Sequence, residues 1–178
     1  VFVAPGNAGT ASEDKVQNLP IAATDIDALI NAATEQQVDL TIVGPEAPLV
    51  AGIVDRFNEA GLACFGPGQG AAQLEGSKSF TKAFLDRHDI PTARWQAFTE
   101  SEPARAYVRS HPLPMVLKAD GLAAGKGVVV AIDRKEADAA VRACLSDGAF
   151  GDAGATVVIE ECLTGPEVSF FVLCDGAR

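Results

Sequence analysis

The sequence predicts an α/β protein: an open parallel unit in the first third of the chain and a smaller α+β segment in the last third. Three observations carry this. Apolar runs at residues 1–4, 39–43 and 62–65 alternate with stretches of helical spacing, and strand–helix alternation in so small a compass builds parallel sheets. The glycine-rich run 66–76, GPGQGAAQLEG, then marks a change of domain. Finally, residues 118–130, KADGLAAGKGVVV, follow the apolar run Met115-Val116-Leu117 and end in a β-branched run, which reads as strand, glycine loop, strand.

In the first unit, residues 1–4 form a short strand and residues 5–10 a tight turn. A helix is expected over 22–35 with Thr24 or Asp25 as its cap, then a buried strand over 39–43. A helix from about 49 to 60 leads to Gly61 and the third strand. Ligands of such sheets lie beyond the carboxyl ends of the strands, which puts residues 5–10, Gly44-Pro45-Glu46 and Gly66-Pro67 along one edge. Two prolines stiffen the Glu46 loop enough to hold a carboxylate in place, although a first-turn acid complementing a helix dipole fits equally well.

In the second part, Ser77 caps a helix to about Arg87, with Lys78 in its first turn and Lys82 one turn on, projecting from one side. A lysine beside the positive end of the dipole is slightly unfavourable, which hints at a ligand for Lys78. A strand over 94–98 and a helix over 101–110 precede the stiff connector His111-Pro112-Leu113-Pro114. Asp133, with Glu136 three residues on, opens a helix over 133–145. Residues 146–155 read as a mobile loop, 156–161 as a strand ending in adjacent acids, and 168–174 as a further strand entering a hairpin.

Glycines let backbone N–H groups turn toward an anion, and Lys118 and Lys126 bracket their loop with point charges suited to phosphate oxygens. Gly127 and a strand follow Lys126, where a Walker A loop would need Ser or Thr and a helix. A glycine loop at the tip of a strand pair, as in kinases, fits better. A glycine-rich turn with solvated lysines remains the plain alternative.

The 178 residues carry a net charge of −10 with 48% hydrophobic and 21% charged residues, a globular composition. That charge disfavours non-specific nucleic-acid binding, while a few lysines in one cleft still set a local field for phosphates. No run is apolar enough to span a membrane. Cys64, Cys144, Cys162 and Cys174 lack metal spacing and read as reduced thiols of a cytoplasmic protein. His88 and His111 stand isolated beside surface breaks, and Trp95 and Tyr107 read as packing residues. The chain opens within a strand without Met and closes on a strand entering a turn, so a portion of a longer protein is expected.

Four runs in order, LTIVGPEAPLV, GPGQGAAQLEGSKSFTKAFL, VLKADGLAAGKGVVVA and VIEECLTGPEVSFFV, together with PGNAGT near the start, resemble the phosphoribosylamine–glycine ligases, a purine-pathway family of the ATP-grasp superfamily. The resemblance implies an incomplete, open, parallel, Rossmann-like unit over 1–68, a linker and the start of the ATP-grasp core over 69–111, and a small α+β lid domain with the start of the remaining core over 112–178. It implies ATP and Mg²⁺, with Mn²⁺ as the alternative metal, and metal ligands beyond residue 178. Lys78 and Lys118 match lysines that reach nucleotide phosphates; Gly121, Gly125, Lys126 and Gly127 would close over them. Glu160, Glu161 and Leu163 would meet the adenine edge, Glu167 the ribose hydroxyls, and Gly44, Pro45 and Glu46 the other substrates. The catalytic groups are not identified. The implied reaction joins glycine to 5-phosphoribosylamine through a glycyl phosphate in a monomeric, cytoplasmic enzyme that binds neither nucleic acid nor membrane. The rivals are a sister ligase or carboxylase subunit, a non-catalytic nucleotide-binding module and a plain scaffold.

Overall fold

The structure, a computed structural model, describes residues 1–123 and 125–174. The first part is built on two parallel pairs, β1 (Phe2–Val3) with β2 (Gln17–Asn18) and β3 (Thr41–Ile42) with β4 (Cys64–Phe65). The parallel hand agrees with the sequence reading. The short, polar β2 is not signalled by any apolar run; it exists because Gln17 and Leu19 N–H donate to Val1 and Val3 carbonyls at 2.9 Å. The expected tight turn over 5–10 instead winds into α1 (Ala8–Ala11). Asn7 and Thr10 cause it: each side chain accepts from the other's backbone N–H, at 3.0 and 2.8 Å, in a reciprocal cap.

The helix α2 (Ile26–Glu35) starts at Asp25, whose carboxylate accepts from Ala28 N–H at 3.2 Å. The strand expected to be buried over 39–43 is half-bare, with Ile42 70% and Leu40 53% exposed. Among the described residues β3 pairs only with β4, so Val43 and Cys64 pack on the cluster of Ala33, Ile53, Val54 and Phe57 while the alternate side chains face out. The single helix expected over 49–60 is two, α3 (Glu46–Val50) and α4 (Ile53–Glu59), because Gly52 sits at φ +88 between them. Glu46 thus opens a helix as a first-turn acid.

The glycine-rich run is helical as well. In α5 (Gln69–Gly76) the backbone N–H of Gln69 donates to the Asp55 carboxylate at 2.6 Å, an acid placed at a helix start. Ser77 then caps α6 (Lys78–Arg87).

The second part is a four-stranded antiparallel sheet in the order β5-β8-β6-β7: β5 (Trp95–Phe98), β6 (Met115–Ala119), β7 (Val128–Ala131) and β8 (Val157–Glu161). Helices α7 (Ser101–Ser110) and α8 (Arg134–Leu145) cover one face. The period of two decides which side chains meet them. Met115, Leu117, Ala119, Val157 and Ile159 form the core with Ala104, Val108, Ala137, Val141 and Cys144. Val116, Lys118, Val158 and Glu160 belong to the opposite face. Asp133 caps α8 by accepting from Glu136 N–H at 2.8 Å, and the Glu136 carboxylate reaches back to Ile132 N–H at 3.0 Å.

The loop expected to be mobile over 146–155 holds a 3-10 turn, Gly151–Gly154, and packs Phe150 against the core; Ala149 N–H donates to Ala143 at 3.1 Å. No strand forms over 168–174: these residues are exposed, and no described residue offers them a ladder to pair with. The turn expected at Asp175-Gly176 lies outside the described residues. All four cysteines are free thiols. Burial pushes the Cys64 and Cys144 thiols up, away from the reactive thiolate.

This layering makes a stability contrast. Leu117→Ala removes a 1%-exposed side chain from the central core and should cost about 2–5 kcal/mol in urea denaturation. Ile132→Ala, at a 70%-exposed position, should stay within about 0.5 kcal/mol. Similar losses at both positions would contradict the assignment of faces.

Candidate active site: a lysine cleft beneath a glycine hairpin

Register builds the centre of the site. β6 and β8 run antiparallel with Lys118 opposite Val158 and Val116 opposite Glu160. Lys118 and Glu160 are therefore diagonal neighbours on the face away from α7 and α8, within reach of long side chains. Lys118 Nζ lies 2.9 Å from Glu160 Oε1, a close charge contact without the angles of a hydrogen bond. From the facing helix α6, Lys82 Nζ lies 3.0 Å from Oε2 of the same carboxylate. Glu160 is 4% exposed and Lys82 8%. Such a buried carboxylate is tolerable only with cations beside it, and here it has one on each oxygen.

The hairpin between β6 and β7 stands over this triad. Ala119 N–H donates to the Gly127 carbonyl at 2.7 Å and Lys126 N–H to the Ala123 carbonyl at 2.9 Å, which closes the loop on itself. A Cβ at Gly127 would fall 2.7 Å from that of Ala123 and 3.0 Å from that of Ala119, so only glycine lets the stem close. Gly125 has φ +75, the left-handed region that suits glycine. Asp120 and Gly121 N–H groups donate to Thr156 and Ala153 carbonyls at 3.0 and 3.3 Å, tying the loop base to the segment before β8.

Asp120 also organises α6. Its Oδ1 accepts from Ser79 N–H at 2.5 Å and its Oδ2 from the Ser77 hydroxyl at 3.0 Å. An acid at a helix start answers the dipole and offsets the awkward placement of Lys78 in the first turn. Lys78 Nζ donates to the Gly121 and Asp120 carbonyls at 3.0 and 3.3 Å. The hairpin and the helix N-terminus are thus one hydrogen-bonded unit.

Between them lies a cleft of about 660 Å³. It gathers Lys78, Lys118, Gly125, Gly127, Glu160, Pro45 and Glu46 from the expected site residues. Lys82 joins them, and apolar walls come from Leu74, Leu122 and Val128. Others stand apart. Gly44 lines a separate hollow of about 870 Å³ bounded by β1 and β3. Gly121 is at the loop base, and Lys126 is exposed on its outer side. Leu163 and Glu167 lie exposed in the irregular segment after β8.

Glu161 turns the other way, to the outer end of the sheet. Its carboxylate accepts from Arg94 N–H at 2.9 Å and from Arg94 Nε at 2.8 Å. The backbone hydrogen bond from Arg94, then that from its side chain, hold the Glu161 carboxyl below the usual carboxylate range. Trp95 Nε1 donates to Asp86 at 2.9 Å, while Tyr107 packs on the core with His111 stacked at 4.6 Å. His88 ends α6 against the Phe84 ring, so neither histidine faces the cleft.

Sequence reasoning passed over two organisers of the site. Lys82 had a signal, its i+4 spacing from Lys78, but spacing does not say that Thr92, Ala93 and Glu160 would enclose it. Asp120 had none of its own, since a cap forty-odd residues from its helix is set by tertiary contact.

An antiparallel sheet whose lysine and buried acid, on the face away from its two covering helices, meet a lysine-bearing helix beneath a glycine hairpin is the ATP-grasp arrangement, and the solved structures agree. Phosphoribosylamine–glycine ligase from Thermotoga maritima superposes with TM-score 0.71 at 29% identity, over 91% of this chain and 37% of that one. Biotin carboxylase from Campylobacter jejuni shares the fold, with TM-score 0.65 at 24% identity over 79% of this chain and 32% of its own.

The chain belongs to the phosphoribosylglycinamide synthetase family. The family's N-domain model matches residues 1–75 and its ATP-grasp (A) domain model residues 76–178. Phosphoribosylamine–glycine ligases from Haemophilus influenzae and Escherichia coli O6:H1 are each 65% identical to it over 176 residues, 99% of this chain. The chain spans 41% of the length of these curated relatives.

The Arg94 clamp is testable by titration. A carboxyl lowered in the folded state contributes stability that is present above its unfolded pKa and lost as pH falls through the folded value. Carboxyl-carbon NMR should show Glu161 titrating below the ordinary glutamate range, and Arg94→Ala should return it there. An ordinary value in the unsubstituted protein would show that the clamp does not form in solution. Asp120→Ala should release the amide of Ser79 to faster hydrogen exchange and cost about 1–3 kcal/mol. Unchanged exchange at Ser79 would deny Asp120 its capping role.

Proposed function

We propose that this chain is the ATP-binding portion of a ligase that joins glycine to 5-phosphoribosylamine, giving glycinamide ribonucleotide, ADP and phosphate. The observation that carries the reading is the convergence of Lys78 and Lys118 on one cleft beneath the glycine hairpin. Its sequence relatives, at 65% identity, are named phosphoribosylamine–glycine ligases. The same proposal covers a monomeric, cytoplasmic enzyme handling small molecules; no helix among the described residues is long and apolar enough to cross a membrane.

In this reading Lys78 and Lys118 meet the nucleotide phosphates, with Gly121, Gly125, Lys126 and Gly127 above them. Glu160, Glu161 and Leu163 meet the adenine edge mainly through backbone groups, the two carboxylates being held by lysines and Arg94, and Glu167 meets the ribose. Gly44, Pro45 and Glu46 serve the side from which the other substrates approach. The division into 1–68, 69–111 and 112–178 follows the same reading. A glycine carboxylate oxygen attacks the γ-phosphorus as the bond to the β-phosphate oxygen breaks and ADP leaves. The amine of phosphoribosylamine then attacks the acyl carbon of glycyl phosphate, and phosphate departs. The lysines offset the charge of the phosphoryl group in flight, and the apolar cleft wall with the hairpin keeps water from the acyl phosphate.

The family implies a divalent metal, with Mg²⁺ the proposed ion and Mn²⁺ its alternative. The described residues do not fit one: no group of three or more acids, histidines or cysteines gathers among them. Glu160, the buried acid of the cleft, already has a lysine on each oxygen.

Lys118 is seated in a strand and Lys126 on an exposed loop, so ordering Lys126 against a ligand costs more entropy. In the intact enzyme, Lys118→Ala should weaken ATP binding by about 1–3 kcal/mol in calorimetry. An equal or larger loss from Lys126→Ala would reverse the ranking. Hydrogen exchange refines the picture of the hairpin. The Lys126 amide, already bonded to Ala123, should be protected without nucleotide, while those of Leu122 and Gly125 should gain protection only with ATP. Full protection of all three before ATP is added would mean a preformed cradle in place of a closing lid.

A further inference from the structure

We propose that Lys82 is a positioning residue for Lys118, acting through Glu160 to set the place and the charge with which this triad meets a phosphate chain. The inference rests on the nucleotide reading above and deepens it. Lys82 is already engaged by three protein groups, two of them hydrogen-bond acceptors and one a carboxylate at ion-pair distance. These are Glu160 Oε2 at 3.0 Å, Thr92 Oγ1 at 2.7 Å and the Ala93 carbonyl at 3.3 Å. It is also 8% exposed. Lys118 differs in both respects. Among the described residues Glu160 Oε1 is its one anionic partner, at 2.9 Å, and its side chain is 28% exposed and lines the cleft.

The arithmetic of charge gives Lys82 its consequence. Two lysines and one glutamate leave the triad with a single positive charge, and only Lys118 can bring that charge to a ligand. Without Lys82 the buried carboxylate would have Lys118 as its sole cation. The pair would be neutral, and both oxygens would compete with a phosphate for the same ammonium group. A buried carboxylate does not forgo its remaining cation cheaply, so Lys118 would be drawn toward the sheet. Lys82 therefore frees Lys118 for the ligand while touching none itself. A mere strut would predict something else: loss of Lys82 would loosen the whole cleft and weaken ligands irrespective of their charge.

The test measures ATP and AMP binding by calorimetry in the intact enzyme and three variants: Lys82→Met, Lys82→Arg and the double variant Lys82→Met/Glu160→Gln. Lys82→Met should weaken ATP about tenfold or more, the loss of one charge-assisted contact, and AMP much less. Lys82→Arg keeps the charge and should restore ATP binding. The double variant removes the buried carboxylate with its partner, returns the site to one positive charge on Lys118, and should recover most of the ATP affinity. Equal weakening of ATP and AMP by Lys82→Met, or no recovery in the double variant, overturns the inference. Should Lys82→Met fail to fold, Glu160→Gln against the double variant isolates the same lysine. With the carboxylate gone Lys82 has nothing to act through, so the two should bind ATP about equally, and a tenfold or greater loss in the double variant overturns the inference. If the unsubstituted enzyme binds no ATP, the nucleotide reading falls and this inference with it; ATP binding that ignores Lys82 defeats the inference alone.

Discussion

The buried carboxylate of Glu160 is the constraint on which the rest of the site depends. A charge with 4% exposure on a central strand is unfavourable by several kcal/mol unless cations meet it. Two do, from different elements: Lys118 from the neighbouring strand and Lys82 from helix α6. Meeting that demand fixes the place of Lys82, and with it of α6, beside β8. The position of α6 in turn brings Ser77 and Ser79 to Asp120, and so ties the helix start to the hairpin. Register, helix docking and loop base are consequences of one requirement, that an acid in the sheet interior be neutralised from both sides.

That requirement also reconciles an acidic protein with an anion-binding cleft. The chain carries a net charge of −10, and Glu46, Glu75 and Glu160 line the cleft itself, yet Lys78, Lys82 and Lys118 gather there as well, two of them on Glu160. Over a distance of several ångströms the local arrangement outweighs the sum, since exposed charges farther than about 8–10 Å are largely screened at physiological salt. Buried or walled charges are screened less. The apolar wall of Leu74, Leu122 and Val128 therefore strengthens what the lysines do.

How much was legible in the sequence follows the range of the interactions involved. The second part reads well because its signals are local and periodic. The apolar run at 115–117 and the β-branched run at 128–130 give the hairpin β6–β7, and Asp133 with Glu136 gives the start of α8. The first part reads less well, because its strands are two residues long and owe their existence to a partner. β2 is the clear case, a Gln-Asn pair with no strand character of its own. Gly52 breaks an otherwise continuous helical pattern, and only its left-handed φ explains why. The run 168–174 shows the converse: strong β-propensity forms no strand where no described neighbour offers a ladder.

The site shows the same division at the level of single side chains. Lys118 is conspicuous because a charge stands at the end of an apolar strand run, and period-2 alternation alone places it opposite the core. Lys82 is inconspicuous because helical spacing says only that it shares a side with Lys78, and a lysine on an amphipathic helix is usually solvated. What separates the two lysines of α6 is what lies across from each. Lys78 meets backbone carbonyls at the rim of the hairpin, whereas Lys82 meets Thr92, Ala93 and a carboxylate inside. The deeper lysine is 8% exposed and engaged by three protein groups, whereas the Lys118 side chain keeps 28% exposure. Depth in the fold, which spacing cannot encode, thus divides groups that hold the site from groups left to act in it.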